Sequence, residues 1–600
     1  MDAETETTLR ETLANAEAAL LNERCEGHWE GELSSSALST AVAVFALGTV
    51  DPRHHDEDIA KGLEWLANNV NADGGWGDSP GSPSNISTTL LCWSAFTIDR
   101  APERPPAETH AAEWLTSRIG GIDPESIAHA LSDYYGKDRT FSAPILTMCA
   151  LAGRLGPGPA AWRLVPQLPY DLAILPRFLF RWLHLPVVSY ALPALISIGL
   201  IRYKKMPDAN ALVHVLRKLT EKGVLSVLKG IQPGNGGFLE AIPLTSFVVM
   251  SLAASGYGDN VVTRKGVDFI KLTVRKDGSW PIDTNLATWL TTLSINAMLP
   301  SGDAQGHLSA EEEKSLAEWL LAQQYRKRHA YTGASPGGWA WTNLPGGVPD
   351  ADDTAGALLA LKRLQPPCDE TRNAAESGLQ WLIDLQNRDG GLPTFCRGWG
   401  RLPFDRSCPD ITAHALLAFE EWYDWMAPRI QVRINASMHA AVAYLESSQS
   451  EDGYWLPLWF GNQNSPSREN PVYGTSLVVF ALKSISPERL PRSDVLLERG
   501  RHWIIDAQNE DGGWGGGKGG GSSIEETALA VRVLAITGDT GAANHGAAWL
   551  ARVTESGCIF PTTPIGLYFA SLWYSEKLYP IVFTVAALNQ LLRGPHPINH

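Results

Sequence analysis

The sequence predicts an all-α fold of the α/α-barrel type, an inner ring of helices inside an outer one. Two interleaved repeats and an excess of tryptophan, 22 in 600 residues, carry that expectation. The first repeat is an aromatic residue followed by Leu or Ile at a helix end, often a Gln five residues after the aromatic, then Asp-Gly-x-Trp. Trp503-Ile504, Gln508 and Asp511-Gly512-Gly513-Trp514 form a complete unit, as do Tyr444-Leu445, Gln449 and Asp452-Gly453-Tyr454-Trp455. Trp381-Leu382 with Gln386 and Asp389-Gly390-Gly391-Leu392 lacks the final Trp. Trp65-Leu66 with Asp73-Gly74-Gly75-Trp76, and Phe269-Ile270 with Asp277-Gly278-Ser279-Trp280, lack the Gln. Trp319-Leu320 with Gln324 and Gly337-Gly338-Trp339 is a stretched copy. Each unit reads as a helix closed by a Gly turn, its Trp packing back on a helix and its Gln bonding backbone at the turn. These are fold staples.

The second repeat is a threonine that opens a helix rich in small apolar residues. Thr354, Thr412, Thr475 and Thr527 stand 58, 63 and 52 residues apart, and Ser39-Thr40-Ala41 and Ser87-Thr88-Thr89 begin similar helices in the first half. Such helices are hydrophobic nearly all round and must be buried, so they form the inner ring, with the amphipathic helices outside. Six hundred residues exceed one simple core and imply two large domains or one architecture repeated. Met1 to Glu23 reads as an opening helix without a signal pattern.

Composition excludes several function classes. The chain is 44% hydrophobic and 19% charged, which is globular, and its net charge of −16 would repel nucleic acid. The seven cysteines (25, 92, 149, 368, 396, 408, 558) are scattered and lack CxxC pairs, so neither a disulfide framework nor a zinc cluster is indicated, and a reducing compartment fits. Gly517-Lys518-Gly519 lacks the Ser or Thr of a phosphate-binding loop.

Chemistry concentrates in Asp350-Ala351-Asp352-Asp353-Thr354-Ala355. Three carboxyls so close in a confined site cannot all ionise, so at least one holds its proton near neutrality and is available as an acid for a very weak base such as an alkene. Acidic residues at a helix start also serve as caps. Because inner-helix N-termini of an α/α barrel face one cavity, Asp350, Asp352, Asp353 and Asp410 are expected around a common space. His414 lies one turn after Asp410, where an imidazolium beside the acids would strengthen the donor.

The Asp-x-Asp-Asp-Thr-Ala hexapeptide together with several Gln…Asp-Gly-x-Trp units resembles the squalene-hopene cyclase family of class II terpene cyclases, over nearly the whole chain. The resemblance implies two α/α-barrel domains, one inserted in the other: residues 1–25 as a helix on the catalytic barrel, 26–295 as the inserted barrel and 296–600 as the catalytic barrel. It also implies no metal or organic cofactor, a linear polyprene substrate, a central hydrophobic cavity and monotopic attachment at the cytoplasmic face of a membrane, with a homodimer among the assemblies allowed. By position, Asp352 falls on the family's proton donor, Asp350 and Asp353 on its flanking acids, His414 on the histidine bonded to the donor and Asp410 on the acid that orients it. Trp341, Trp459 and Tyr473 fall on cavity aromatics and Phe395 lies where the family usually has Tyr, with Tyr190 and Tyr568 as looser matches. Such rings stabilise a cation without trapping it.

Ser189-Tyr190-Ala191-Leu192-Pro193 and Phe560 to Tyr568 depart from the family members that make hopene, which bears on product and substrate. The apolar stretch Leu168 to Ile201 contains Arg177, Arg181, His184 and prolines, against a spanning helix and in favour of a partly buried one with a surface-docking end near Lys204 and Lys205. The expectation is therefore protonation-initiated cyclisation of squalene or a similar polyprene to a hopene-like or other cyclic triterpene. A cyclase of another polyprenoid, including a diphosphate-bearing one, is the near rival. An α/α-barrel glycoside hydrolase would need two carboxyls across a polar groove, a protein prenyltransferase a zinc site, and a helical-repeat scaffold no acid cluster.

Overall fold

The computed structural model describes residues 3–98, 105–136, 139–176, 179–180, 189–299, 308–364, 368–395, 405–490, 493–567 and 571–594. After α1 (Ala3–Asn22), a first ring comprises α2 (Ala37–Val50), α3 (Ile86–Ala95), α4 (Arg139–Leu151), α5 (Leu192–Lys205) and, beyond the outer helix α6 (Ala211–Ile231), α7 (Ile242–Leu252), which packs back on α2. A second ring comprises α8 (Ala287–Met298), α9 (Ala351–Leu364), α10 (Pro409–Trp422), α11 (Pro471–Ser484), α12 (Ile524–Thr537) and α13 (Tyr579–Arg593), each packed on the next, with α13 closing on α8. Amphipathic helices such as Asp369–Leu385 and Pro428–Ser448 form the outer layer.

One core gathers Leu9 to Leu33 with Leu286 to Leu591, and another gathers Ala37 to Trp280. A third, from Tyr170 to Val262, takes in Tyr331, Val348 and Phe395. Helix α1 packs on α13, where Asn589 Nδ2 donates to Glu17 Oε1 at 3.1 Å. Strands β1 (Ser35–Ser36) and β2 (Trp280–Pro281) pair antiparallel where the chain enters and leaves the first ring. Strands β3 (Phe460–Asn462), β4 (Ile565–Leu567) and β5 (Leu572–Tyr574) form a second antiparallel sheet, and the amide of Trp573 donates to Asp78 of the first ring's side at 2.8 Å.

The two sequence repeats are stitched to one another. The amides of Trp76, Trp280, Trp339, Trp455 and Trp514 donate to Thr89, Thr40, Thr354, Thr475 and Thr527 at 2.9–3.0 Å. Their indole N–H groups reach back to the last carbonyls of the preceding outer helix, as Trp514 does to Ile504 at 2.8 Å. The indole adds a second donor to carbonyls that the helix end bonds at most once, as at Ile504, which also accepts the Ala507 amide at 3.2 Å. Each Gln spans two units: Gln449 Nε2 donates to Gly453 at 2.8 Å and to Leu496 of the next outer helix at 3.0 Å. Gln232 makes the same pair of bonds, an additional unit that pattern matching by Asp-Gly-x-Trp overlooks.

The turn glycines are required by geometry. Gly390 has φ 92° and a Cβ there would lie 2.1 Å from the Ala440 carbonyl oxygen. Gly390→Ala is expected to destabilise the protein by about 3 kcal/mol, from positive-φ strain and overpacking, read as a lower denaturation midpoint with unchanged slope.

The stretch 168–201 is not one helix. It divides into a 3₁₀ turn, Tyr170–Ile174, and the largely buried α5, with 177–178 and 181–188 outside the described residues. Lys204 pairs with Glu221 of α6 at 2.6 Å; Ile174 of the stretch is exposed, and a larger set of exposed apolar side chains lies on α6. Leu212, Val215, Leu216 and Leu219 are 82%, 53%, 51% and 76% exposed, a stripe at helical spacing. No helix among the described residues is long and apolar enough to cross a membrane.

Candidate functional site

The stapling threonines put the second ring's helices in a common register. Two residues before Thr291, Thr354, Thr412 and Thr475 stand Trp289, Asp352, Asp410 and Tyr473, one per helix from α8 to α11. This shared position explains why residues so distant in sequence converge.

At its centre Asp352 Oδ1 is hydrogen-bonded to His414 Nδ1 at 2.6 Å. Asp350 and Asp353 are 3% and 5% exposed, whereas the Asp352 and His414 side chains keep 18% and 16%, so Asp352 is the acid of the three that a substrate can reach. Asp350 also caps the helix, its Oδ1 accepting the Asp353 amide at 2.8 Å. Burial, reinforced by the Asp352 charge, pushes the Asp350 carboxyl up to about 7. Burial, then the charges of Asp350 and Asp352, pushes Asp353 well above the usual carboxylate range. These two carboxyls interact directly and hold a shared proton at neutrality.

Asp410 is placed differently from expectation. Its Oδ1 accepts the Cys408 thiol at 2.5 Å rather than a bond from His414, because His414, one turn further on, directs Nδ1 across to α9. Burial and the Asp352 charge, against the Cys408 bond, push Asp410 up to about 7, so its coupling to the centre is electrostatic. Cys408 also accepts the Leu458 amide at 3.2 Å, which ties the acids to the segment carrying Trp459.

The aromatic residues form a connected wall. The Phe395 ring lies 5.9 Å from Trp341, 5.6 Å and perpendicular to Trp459, and 5.7 Å from Tyr190. Trp459 Nε1 donates to Thr394 Oγ1 at 2.5 Å. Tyr473 stacks on Phe460 at 4.6 Å, and burial followed by the Asp352 and Asp410 charges pushes its phenol well up, which puts it beside the acids. Tyr568 lies outside the described residues.

Residue-type reasoning missed Cys408, Trp289 and Tyr579. Trp289 stands 6.3 Å from His414, edge to face, and its Nε1 donates to Tyr579 at 3.2 Å. The signal for Trp289 was available, since it precedes Thr291 as Asp352 precedes Thr354. Among the described residues no group of three or more His, Cys, Asp or Glu side chains is arranged to hold a metal ion.

Comparison with known proteins gives the family. The chain is 25% identical over 570 residues to enfumafungin synthase efuA of Hormonema carpetanum, covering 82% of this chain but only 40% of that protein's length. It is 24% identical over 679 residues to the squalene–hopene cyclase of Zymomonas mobilis, covering 97% of this chain and 95% of that one. Among solved structures, ent-copalyl diphosphate synthase from Streptomyces platensis matches the fold with a TM-score of 0.56 at 20% identity, across 98% of this chain and 99% of that one. The squalene-hopene cyclase N-terminal domain model matches residues 13–128 and the C-terminal domain model matches residues 285–590, the part that builds the acid-bearing ring. With more than half of its residues matched, the acid motif included, the chain belongs to the squalene-hopene cyclase family of class II terpene cyclases.

Proposed function

We propose that this chain cyclises a linear polyprene, squalene or a similar one, by protonating an alkene with Asp352. The carrying observation is the 2.6 Å Asp352–His414 hydrogen bond set beside the proton shared by Asp350 and Asp353. Asp352 transfers its proton to the terminal double bond, the next alkene attacks the cation, and successive ring closures pass the charge along Trp341, Phe395, Trp459 and Tyr473. The rings supply π-electron density without a nucleophile, and the prefolded chain gains proximity while water is excluded. Loss of a proton, or capture by water, ends the cascade. Incubation with squalene and, separately, geranylgeranyl diphosphate, with products identified by mass spectrometry, tests the reading; no cyclic product from either substrate would refute it.

Trp459→Leu and Trp341→Leu are expected to shift products toward incompletely cyclised material. A lost cation–π contact of about 1–2 kcal/mol changes partitioning roughly tenfold. An unchanged product profile in folded variants would make these rings packing residues.

The reading extends to attachment at the cytoplasmic face of a membrane through α6. Leu212, Val215, Leu216 and Leu219 offer the apolar face, and Lys218 and Lys222 lie on the same helix. Leu212→Gln with Leu219→Gln is expected to reduce co-sedimentation with phospholipid vesicles about tenfold, because two buried leucines are lost from the contact.

A further inference from the structure

The inner helices of the second ring are packed on both flanks and behind, so a side chain on them that keeps exposed surface takes it from the lumen they enclose. On α10 these side chains are His414, Leu417 and Glu421, one per turn. On α12, between Ile524 and Ile536, Arg532 is the only one. Asn296, Phe480 and Arg532 stand five residues after Thr291, Thr475 and Thr527, while Arg363 and Glu421 stand nine residues after Thr354 and Thr412. The level of Arg532 is thus seven residues beyond that of Asp352, about 10 Å along the helix axes.

A polar cluster occupies the lumen at this depth. Arg363 Nη1 donates to Asn296 Oδ1 at 2.5 Å, and Arg363 Nη2 lies 3.6 Å from Glu421 Oε1. Arg532 lies over the Phe480 ring at 4.0 Å and has no hydrogen bond or ion pair among the described residues. Helices α9 and α12 stand three apart in a closed ring of six, so Arg363 and Arg532 face one another across the lumen. Burial, then the Arg363 charge, pushes the Arg532 guanidinium down to about 10, which leaves it charged at neutrality. Two guanidiniums and one carboxylate leave one positive charge in excess. The Phe480 ring offsets part of the water that Arg532 loses, but it offers no acceptor to the guanidinium N–H groups. Capping does not account for Arg532 either, since it sits five residues before the end of α12 and donates to no carbonyl among the described residues.

We propose that the lumen of the second ring binds a monovalent inorganic anion, held by the N–H groups of Arg532 with Arg363 opposite and the Phe480 ring to one side. The charge of the cluster sets the class: one negative unit cancels the excess, whereas a divalent oxyanion would stand uncompensated beside Glu421. The site is distinct from the acids that protonate the alkene and holds whatever the substrate is. Chloride is the probe, followed by the width of its NMR resonance in sodium gluconate at constant ionic strength. The protein is expected to broaden the resonance in a way that saturates as chloride rises and that bromide displaces. Arg532→Gln should weaken the affinity about tenfold, and Glu421→Gln, which removes the nearby negative charge, should tighten it about tenfold. The second variant decides the matter if the first does not fold. Broadening that never saturates, an affinity that survives Arg532→Gln in folded protein, or one that Glu421→Gln leaves unchanged would overturn the proposal.

Discussion

Asp352→Asn is expected to leave a folded protein that has lost about four orders of magnitude in turnover. The amide keeps the volume and can still bond His414, so neither helix should move, but it cannot deliver a proton to an alkene. The buried neighbours do not replace it, since Asp350 and Asp353 bond to each other and are 3% and 5% exposed. Product formation in single-turnover assays, beside the thermal unfolding curve, checks both halves of the expectation. A variant retaining a tenth of the activity would move the donor's role to another group.

His414→Ala is expected to cost roughly 10²–10³-fold, because the 2.6 Å bond that fixes the donor oxygen is lost while the carboxyl itself remains. The reaction should also fail on the alkaline side. Asp350 holds its proton up to about 7, and its ionisation adds a negative charge to the acid cluster. Stability follows the same direction. Carboxyls raised in the folded state favour the neutral form, so the stability they contribute is full below the ordinary carboxylate range and is lost as pH rises through the folded values, near 7 for Asp350, Asp410 and Glu576 and near 8 for Glu525. Denaturation midpoints should fall between about pH 5 and 8, and Asp353→Asn should flatten that fall. A midpoint that rises over this interval would contradict the buried, protonated state of these acids.

The sequence made the inner helices and the turn units legible because each depends on local pattern: an apolar run, a Thr at its start, a Gly where φ is positive. Asp352 and His414 were legible through their spacing and family resemblance. Cys408 was not, since a thiol that serves only to bond Asp410 looks like any buried cysteine until Asp410 is placed. Nor was the apolar stripe of α6, because Leu212, Val215, Leu216 and Leu219 read as an ordinary packed face until the structure shows no described residue covering them. Leu168 to Ile201 was legible in part: the expected partly buried helix is α5, apolar because its neighbours surround it.

The contact between α1 and α13 fixes the order in which the chain can be completed. Leu9, Ala16 and Leu20 belong to the same core as Val582 and Leu588, yet more than five hundred residues separate them. At a synthesis rate of about 5–20 residues per second, the first helix waits roughly half a minute to two minutes for the surface it covers. Throughout that interval the first ring can close on contacts of its own, whereas the second ring has neither its last inner helix nor a neighbour for α8 on that side. The acid-bearing barrel is thus a late-folding unit whose rate is set by long-range closure, and its unpaired α1 is the segment most exposed to misassembly before the ring shuts.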